Sequence, residues 1–415
     1  MLKIEELLGK NISEYNSQNL NDLKKRVQEN KTSWILGAGI SKSIGLPLWG
    51  ECLLSMWGRI LLLEKVNNDS NAYHRTLIDL KKEICGNSTF LEKVNEIVNG
   101  SQTTQILNGV NTLEAAEYIK NFVKETIPKK NDTTTDFIQE SFQMGYFSLI
   151  KDSFQLNKSA DEIYSKMKGQ VIDILATYFT KLANDKKKVT VITYNFDDLL
   201  EFALEKSGLN AFDCHVKNPG TSKVLEAETG VHIYHPHGTL SVVPNSFSEE
   251  SYKLVLAESD YEDLESKSYI WQNSIQAKSL HNSSCVFIGF SGEDYNFRRI
   301  LKNMENGDAC QNNKHYMFIS IESFVKRLFK TQIEKQLLGD IPRTEKEREE
   351  FLNNISKADF DGALKTILSS QDMIYERTLM IKRLYAQYLY WKNRNIIPIW
   401  VTRDELPIML NQLLE

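Results

Sequence analysis

The chain has 415 residues, 41% hydrophobic and 25% charged, a balance of folded globular proteins at a length too great for one ordinary domain. A formal net charge of −5 excludes an overall basic field, so direct nucleic-acid binding is not indicated and an anionic membrane surface is not favoured. Five scattered cysteines (Cys52, Cys85, Cys214, Cys285, Cys310) without a C-x-x-C pair argue against a disulfide framework and a structural zinc site. No apolar run approaches the ~18 residues needed to span a bilayer, which makes the cytoplasm the expected location.

The amino terminus is amphipathic and acidic, without an apolar signal core, and residues 3–29 read as a helix with Ile4, Leu7 and Leu8 on one face. Ser33–Leu36 then forms a short apolar run that meets Gly37-Ala38-Gly39, the pattern of a buried strand entering a tight turn. After Pro47 and Trp49, an apolar helix is expected through Leu54, Trp57, Ile60 and Leu63. From about 65 to 185 no strong strand is visible, and helices are expected at Thr112–Thr126, Asp136–Ile150 and Ala160–Asn184, the last with apolar residues near a 3.6 period. Strands return at Lys188–Thr193, Val231–Tyr234, Cys285–Gly289, Tyr316–Ile319 and Ile396–Val401. Helices are expected between several of them, at Phe196–Lys206, Tyr295–Met304 and Thr378–Lys392, with a charged helical surface segment at about 322–377.

This alternation predicts an α/β fold: a Rossmann-like, mostly parallel sheet with helices on both faces, plus an inserted all-helical subdomain. The expected organisation is an N-terminal helical segment (1–30), a discontinuous Rossmann-like domain (31–64 and 186–415) and a helical insertion (65–185). Ligands of such sheets bind at the carboxyl ends of the strands. There the sequence places Gly37–Ser41, Asn195–Asp198, His237-Gly238 and Gly289–Ser291.

Each of these segments has a functional and a plain reading. Gly37-Ala38-Gly39-Ile40-Ser41 suits close backbone approach to a pyrophosphate, and equally suits a plain tight turn. It is neither a dinucleotide fingerprint, because Lys42 stands where a third glycine belongs, nor a P-loop. Asn195-Phe196-Asp197-Asp198 could orient a ribose hydroxyl and a carboxamide, or cap the next helix. His232, His235 and His237 form H-x-x-H-x-H, which invites a metal reading. On a strand, however, His235 and His237 would share one face and His232 the other, Pro236 interrupts the geometry, and no further Cys/His cluster completes a shell; no metal ligand is assigned. Gly289-Phe290-Ser291-Gly292-Glu293 resembles a hydrolase elbow only superficially, since Glu293 breaks it and His315 is the sole later histidine.

Taken in order, Gly37-Ala38-Gly39-Ile40-Ser41 with Gly45-Leu46-Pro47, then Tyr194-Asn195-Phe196-Asp197, His237-Gly238 and Gly289-Phe290-Ser291 resemble the four motifs of the sirtuins. The paired zinc cysteines of sirtuin deacylases are missing between the third and fourth motifs, and Leu48-Trp49-Gly50 replaces the Asp-Phe-Arg that follows the proline. The run Gly289-x-Ser291-x-x-Asp294-x-Asn296-x-Arg298-Arg299-Ile300-Leu301 is similar to the sirtuin-like NADases of bacterial anti-phage defence. The resemblance implies NAD⁺ as substrate, no zinc, self-assembly, and a partner supplied in trans such as a HerA-type ATPase. It implies that Gly37, Ala38, Gly39 and Ser41 hold the pyrophosphate and nearby ribose. Asp197 would recognise the nicotinamide carboxamide, while Asn195 positions the ribose and a water. His237 would contact the ribose hydroxyls and act as general base, and Gly289 and Ser291 would line the adenosine end. The activity implied is hydrolysis of NAD⁺ to nicotinamide and ADP-ribose. A deacylase or ADP-ribosyltransferase with the same site, or a non-catalytic NAD⁺ or ADP-ribose sensor, are the alternatives.

Overall fold

The computed structural model describes residues 12–53, 112–126, 159–219, 227–243, 253–266, 270–305, 313–322 and 374–415, with single positions at 56, 150, 151, 154, 245 and 247. The first 11 residues of the chain, most of the helix expected from Leu54 to Leu63, nearly all of Asp136–Ile150 and the charged segment at 322–377 lie outside the described residues or nearly so.

Seven strands form one sheet in the order β3-β4-β2-β1-β5-β6-β7, every pair parallel. They are β1 (Thr32–Leu36), β2 (Lys188–Thr193), β3 (Cys214–Lys217), β4 (Gly230–Tyr234), β5 (Ser284–Ile288), β6 (His315–Ser320) and β7 (Ile396–Val401). This is a Rossmann-like α/β fold. Strand side chains alternate between the faces and supply both layers. Trp34 and Leu36 of β1 and Val286 and Ile288 of β5 enter the larger core, while Ile35, Cys285 and Phe287 enter the other. Both faces are therefore covered, which is why these strands read as continuous apolar runs.

The helices follow one handedness. Connections running toward β3 lie on the larger-core face: α3 (Thr112–Thr126), α4 (Ala160–Met167), α5 (Val171–Asn184) and α6 (Leu199–Lys206). Those running toward β7 cross the other face: α8 (Trp271–Asn282), α9 (Tyr295–Glu305) and α10 (Ile374–Lys392). The remaining helices are α1 (Ile12–Gln28), the short α2 (Gly39–Lys42), α7 (Glu258–Ser266) and α11 (Glu405–Leu414). Connections diverge between neighbours β1 and β5, the switch point at which such sheets bind ligands.

Several elements differ from the sequence-based expectation. The single helix Ala160–Asn184 is two: α4 opens with a Ser159–Glu162 capping box and ends before Gly169, whose φ of +74° sends the chain out of helical geometry. Helix α5 packs on the sheet itself, with Phe179 and Tyr178 against Trp34. Strand β3, whose Cys-His-Val-Lys is too short and polar to stand out, was not foreseen. Helix α6 starts at Leu199 rather than Phe196, because residues 195–198 stay extended enough for Asp197 to bridge Leu240.

The β7 side of the sheet ends on a side chain. Asn16 of α1 donates from Nδ2 to the Trp400 carbonyl (2.6 Å) and accepts the Trp400 N–H at Oδ1 (3.3 Å), as one more strand residue would. Pro398 in the same strand has no N–H to offer. No described helix is long and apolar enough to cross a membrane.

Candidate functional site

The carboxyl ends of β1 and β5 touch through glycine. Gly37 N–H donates to the Ile288 carbonyl (3.1 Å) and Gly39 N–H to the Gly289 carbonyl (2.9 Å). A Cβ on Gly37 would sit 2.6 Å from the Gly289 oxygen, and one on Gly289 would sit 2.6 Å from the Ile40 nitrogen. Gly289 also has φ +64°, so glycine is required there twice over. The two loops interlock backbone to backbone, a reason for these glycines that needs no ligand. Ala38, half-buried, lies at the start of α2.

That interlock sets Ser41, Asn195 and Asp197 in a buried chain. Asn195 Nδ2 donates to Ser41 Oγ (3.0 Å), and Ser41 Oγ donates to Asp197 Oδ1 (3.0 Å). The order fixes the amide. A hydroxyl that gives its proton to Asp197 must accept from Asn195, so the nitrogen faces Ser41 and Oδ1 faces away. Asn195 Oδ1 is buried and has no hydrogen-bond partner among the described residues. Asp197 also accepts the Leu199 N–H (3.3 Å) and so contributes to capping α6. Asp198 is structural: its carboxylate accepts the Val242 N–H (2.9 Å) and Asn245 Nδ2 (2.7 Å).

Burial pushes the Asp197 carboxyl up to about 7, the Ser41 hydrogen bond opposing and the nearby Asp198 adding to the rise. The native state therefore holds a proton that the unfolded chain releases near pH 4. Stability from this group falls as pH rises from about 4 to 7, and the full penalty applies above 7. Asp197→Asn keeps the Oδ1 acceptor and removes the charge. It should melt above the wild type at pH 8 by about 5 °C more than at pH 5. An equal difference at both pH values would show that the buried carboxyl titrates normally.

The three histidines separate. Strand β4 ends at Tyr234, so the strand alternation expected for His235 and His237 does not apply to them. His232, within β4, lies 4.7 Å ring to ring from His215 and contacts the Thr229 carbonyl through Nε2 (3.0 Å), and burial lowers its pKa to about 4. His235 lies beneath Asn195, its Nδ1 facing the Asn195 carbonyl (3.3 Å) and its Nε2 facing Glu201 Oε1 (2.6 Å). His237 is buried among the rings of Tyr194, Tyr261 and Phe196, and its Nε2 has no hydrogen-bond partner among the described residues. Asp294 Oδ2 lies 3.4 Å from that nitrogen, in ion-pair range without hydrogen-bond alignment. Burial lowers the His237 pKa and Asp294 opposes this, which keeps the ring neutral near pH 7. Among the described residues no group of three or more His, Cys, Asp or Glu could hold a metal ion.

Ser291 is exposed, and its Oγ accepts the Glu293 N–H (3.2 Å) within its own turn. His315 sits at the opposite end of the sheet, where its Nδ1 accepts the Cys285 N–H (3.0 Å), so no serine–histidine pair forms. Of the expected site residues, the structure joins Ser41, Asn195 and Asp197 by hydrogen bonds and Gly37, Gly39 and Gly289 by contact. His237 joins them through the ring of Phe196, while the Ser291 side chain stays apart.

Three residues carry no assigned role in the sequence reading. Asp294 stands there within the Gly289–Leu301 run, and in the structure it caps α9, accepting the Phe297 N–H (2.7 Å). Tyr261 carries no motif; it is placed by α7, which α3 clamps through Lys120 to Asp260 (2.7 Å) and Glu117 to Ser259 (2.8 Å). Glu201 lies in an apolar helix stretch, Leu199-Leu200-Glu201-Phe202-Ala203, where an acid facing the core was the available signal.

A parallel sheet with polar groups gathered at the carboxyl ends of its strands defines the class of α/β proteins that take ligands at that edge. Within that class, residues 189–340 match the family model of the SIR2-like domain, so this part of the chain is similar to sirtuin-like domains. The match takes in Asn195, Asp197, His237, Gly289, Ser291 and Asp294, and leaves β1 and the Gly37–Ser41 loop outside. It is consistent with an enzyme that uses NAD⁺. No curated protein matches the chain.

Proposed function

We propose that the chain is an NAD⁺ glycohydrolase that releases nicotinamide and leaves ADP-ribose. One observation carries the reading: Asn195 Oδ1 and His237 Nε2 are buried polar atoms without partners among the described residues, at the carboxyl ends of neighbouring strands β2 and β4. Such atoms are costly unless a ligand satisfies them.

Cleavage of the C1′–N bond returns its electron pair to the nicotinamide ring and leaves positive charge on the ribose. Water then bonds to C1′ and gives up a proton. Asn195 Oδ1, aimed by Ser41, accepts a hydrogen bond from that water or from a ribose hydroxyl. Neutral His237 has the lone pair to take the proton, and Asp294 stabilises the imidazolium that results. Asp197, protonated in part near neutral pH, can donate to or accept from a carboxamide.

The similarity of the Gly289-x-Ser291-x-x-Asp294 run to defence NADases extends the proposal. The chain acts as the NAD⁺-depleting effector of an anti-phage system, assembled with itself and triggered by a partner such as a HerA-type ATPase.

The test is incubation of the purified chain with NAD⁺, with and without an acetylated peptide. Nicotinamide and ADP-ribose should appear at a rate independent of peptide. Acetylated ADP-ribose would make the chain a deacylase, and tight binding without turnover would make it a sensor. Asn195→Ala should lower turnover about 10²–10³-fold with unchanged melting, the scale for losing one preorganised polar group. Wild-type turnover in the folded variant would remove Asn195 from the mechanism.

A further inference from the structure

We propose that Asp294 is the positioning residue of His237, held in place by Tyr261, so that the three form a relay from α7 through the start of α9 to the end of β4. This deepens the glycohydrolase reading and rests on it.

The carboxylate is fixed on both oxygens. Oδ1 accepts the Phe297 N–H (2.7 Å), which ties it to the first turn of α9. Oδ2 accepts the Tyr261 hydroxyl (2.9 Å) and faces His237 Nε2. Burial and the adjacent carboxylate hold the Tyr261 hydroxyl well above its ordinary pKa, so it stays a donor. The ring of Tyr261 stands edge-on to the His237 imidazole at 5.5 Å, and that of Tyr194 does the same at 5.1 Å. Tyr194 gives its hydroxyl to Gln276 and so does not compete for His237. Among the described residues the titratable groups facing His237 are thus Asp294, Tyr261 and Tyr194, and Asp294 is the carboxyl group of the three.

An imidazole that takes a proton in a dry cavity needs a counter-charge that does not itself reorganise. A carboxylate anchored by a backbone N–H and a tyrosine meets that need. A 3.4 Å approach leaves the neutral ring free to accept, and a small rotation completes the hydrogen bond once Nε2 carries hydrogen.

The experiment uses the full chain with labelled histidine. His237 is titrated by NMR and NAD⁺ turnover is followed across pH, in the wild type, Asp294→Asn and Tyr261→Phe. Asp294→Asn should lower the His237 pKa, since the group opposing burial is gone, and move the acidic limb of kcat/KM to lower pH. It should cut kcat roughly 10–100-fold, less than loss of the base itself, with KM nearly unchanged. Tyr261→Phe should cost a few-fold in kcat and leave the limb in place. Unchanged His237 titration in Asp294→Asn overturns the proposal even where kcat falls, because a merely structural loss would do that. If Asp294→Asn does not fold, Asp294→Ser, which keeps an N-cap oxygen for Phe297, carries the same titration. A wild type that turns over no NAD⁺ defeats the glycohydrolase reading, while the titration still decides the Asp294–His237 coupling.

Discussion

His237→Ala should lower NAD⁺ turnover by about 10²–10⁴-fold while KM for NAD⁺ stays within a few-fold, the range for removing a general acid–base group. The three histidines of the H-x-x-H-x-H run provide internal controls, since each has a different commitment. His235 has an acceptor against each nitrogen, Glu201 on one side and the Asn195 carbonyl on the other, and no lone pair is left for chemistry. His232 lies within β4 in register with Thr190, away from the strand's carboxyl end. Two of the three have a buried nitrogen without a hydrogen-bond partner among the described residues, His232 Nδ1 and His237 Nε2, but His232 lies inside the strand and His237 lies beyond its carboxyl end, beside Asn195 and Asp294. His232→Ala should therefore leave kcat unchanged. Steady-state kinetics on the two variants, with melting curves to show folding, make the comparison. Full activity in a folded His237→Ala would end the assignment of the base.

Glu201→Ala should destabilise the protein by about 3–5 kcal/mol, the usual result of stripping one partner from a buried ionic pair. Both Glu201 and His235 are wholly enclosed. Because both neighbours of the His235 ring are acceptors, the ring carries hydrogen on both nitrogens, its extra proton shared with Glu201. Burial alone would lower the His235 pKa; the Glu201 charge and hydrogen bond, with the Asn195 carbonyl, more than reverse that, and the pKa is raised overall. The stabilisation is thus complete below the ordinary histidine pKa and is lost as pH climbs through the raised one. Urea unfolding at pH 6 is the condition at which the loss should be fullest. Glu201→Gln, which keeps an oxygen for Nε2, should cost less. A Glu201→Ala midpoint equal to the wild type's would mean that the pair does not hold the loop at Asn195.

The parallel sheet was legible because its strands are buried on both faces and stand out as apolar runs between polar helices. Lys188–Thr193 and Ile396–Val401 matched to the residue. Strand β3 escaped because an edge strand of four residues, half of them polar, has neither length nor periodicity to announce it. The break at Gly169 escaped because apolar spacing continues across it, and the reversal rests on a single φ angle. At the site, local motifs drew attention to Asn195, Asp197 and His237, each beside a strand end. What could not be read was the set of partners that gives them different roles. Glu201 is 34 residues from His235, and Tyr261 is 33 from Asp294. Those pairings exist only once helices α6, α7 and α9 have packed, so no spacing rule within the sequence encodes them.

Asn16 and Trp400 are 384 residues apart, and the ribosome makes them in that order. The sheet grows outward in time from its centre: β1 is synthesised first, and on one flank β5, β6 and β7 are then added in succession. Each new strand is briefly the outermost, open to a stray chain until its neighbour arrives. β7 is the last of the described strands in the chain, and its cover, α1, precedes every one of them. The described strand that emerges last is thus the one whose closure was prepared earliest.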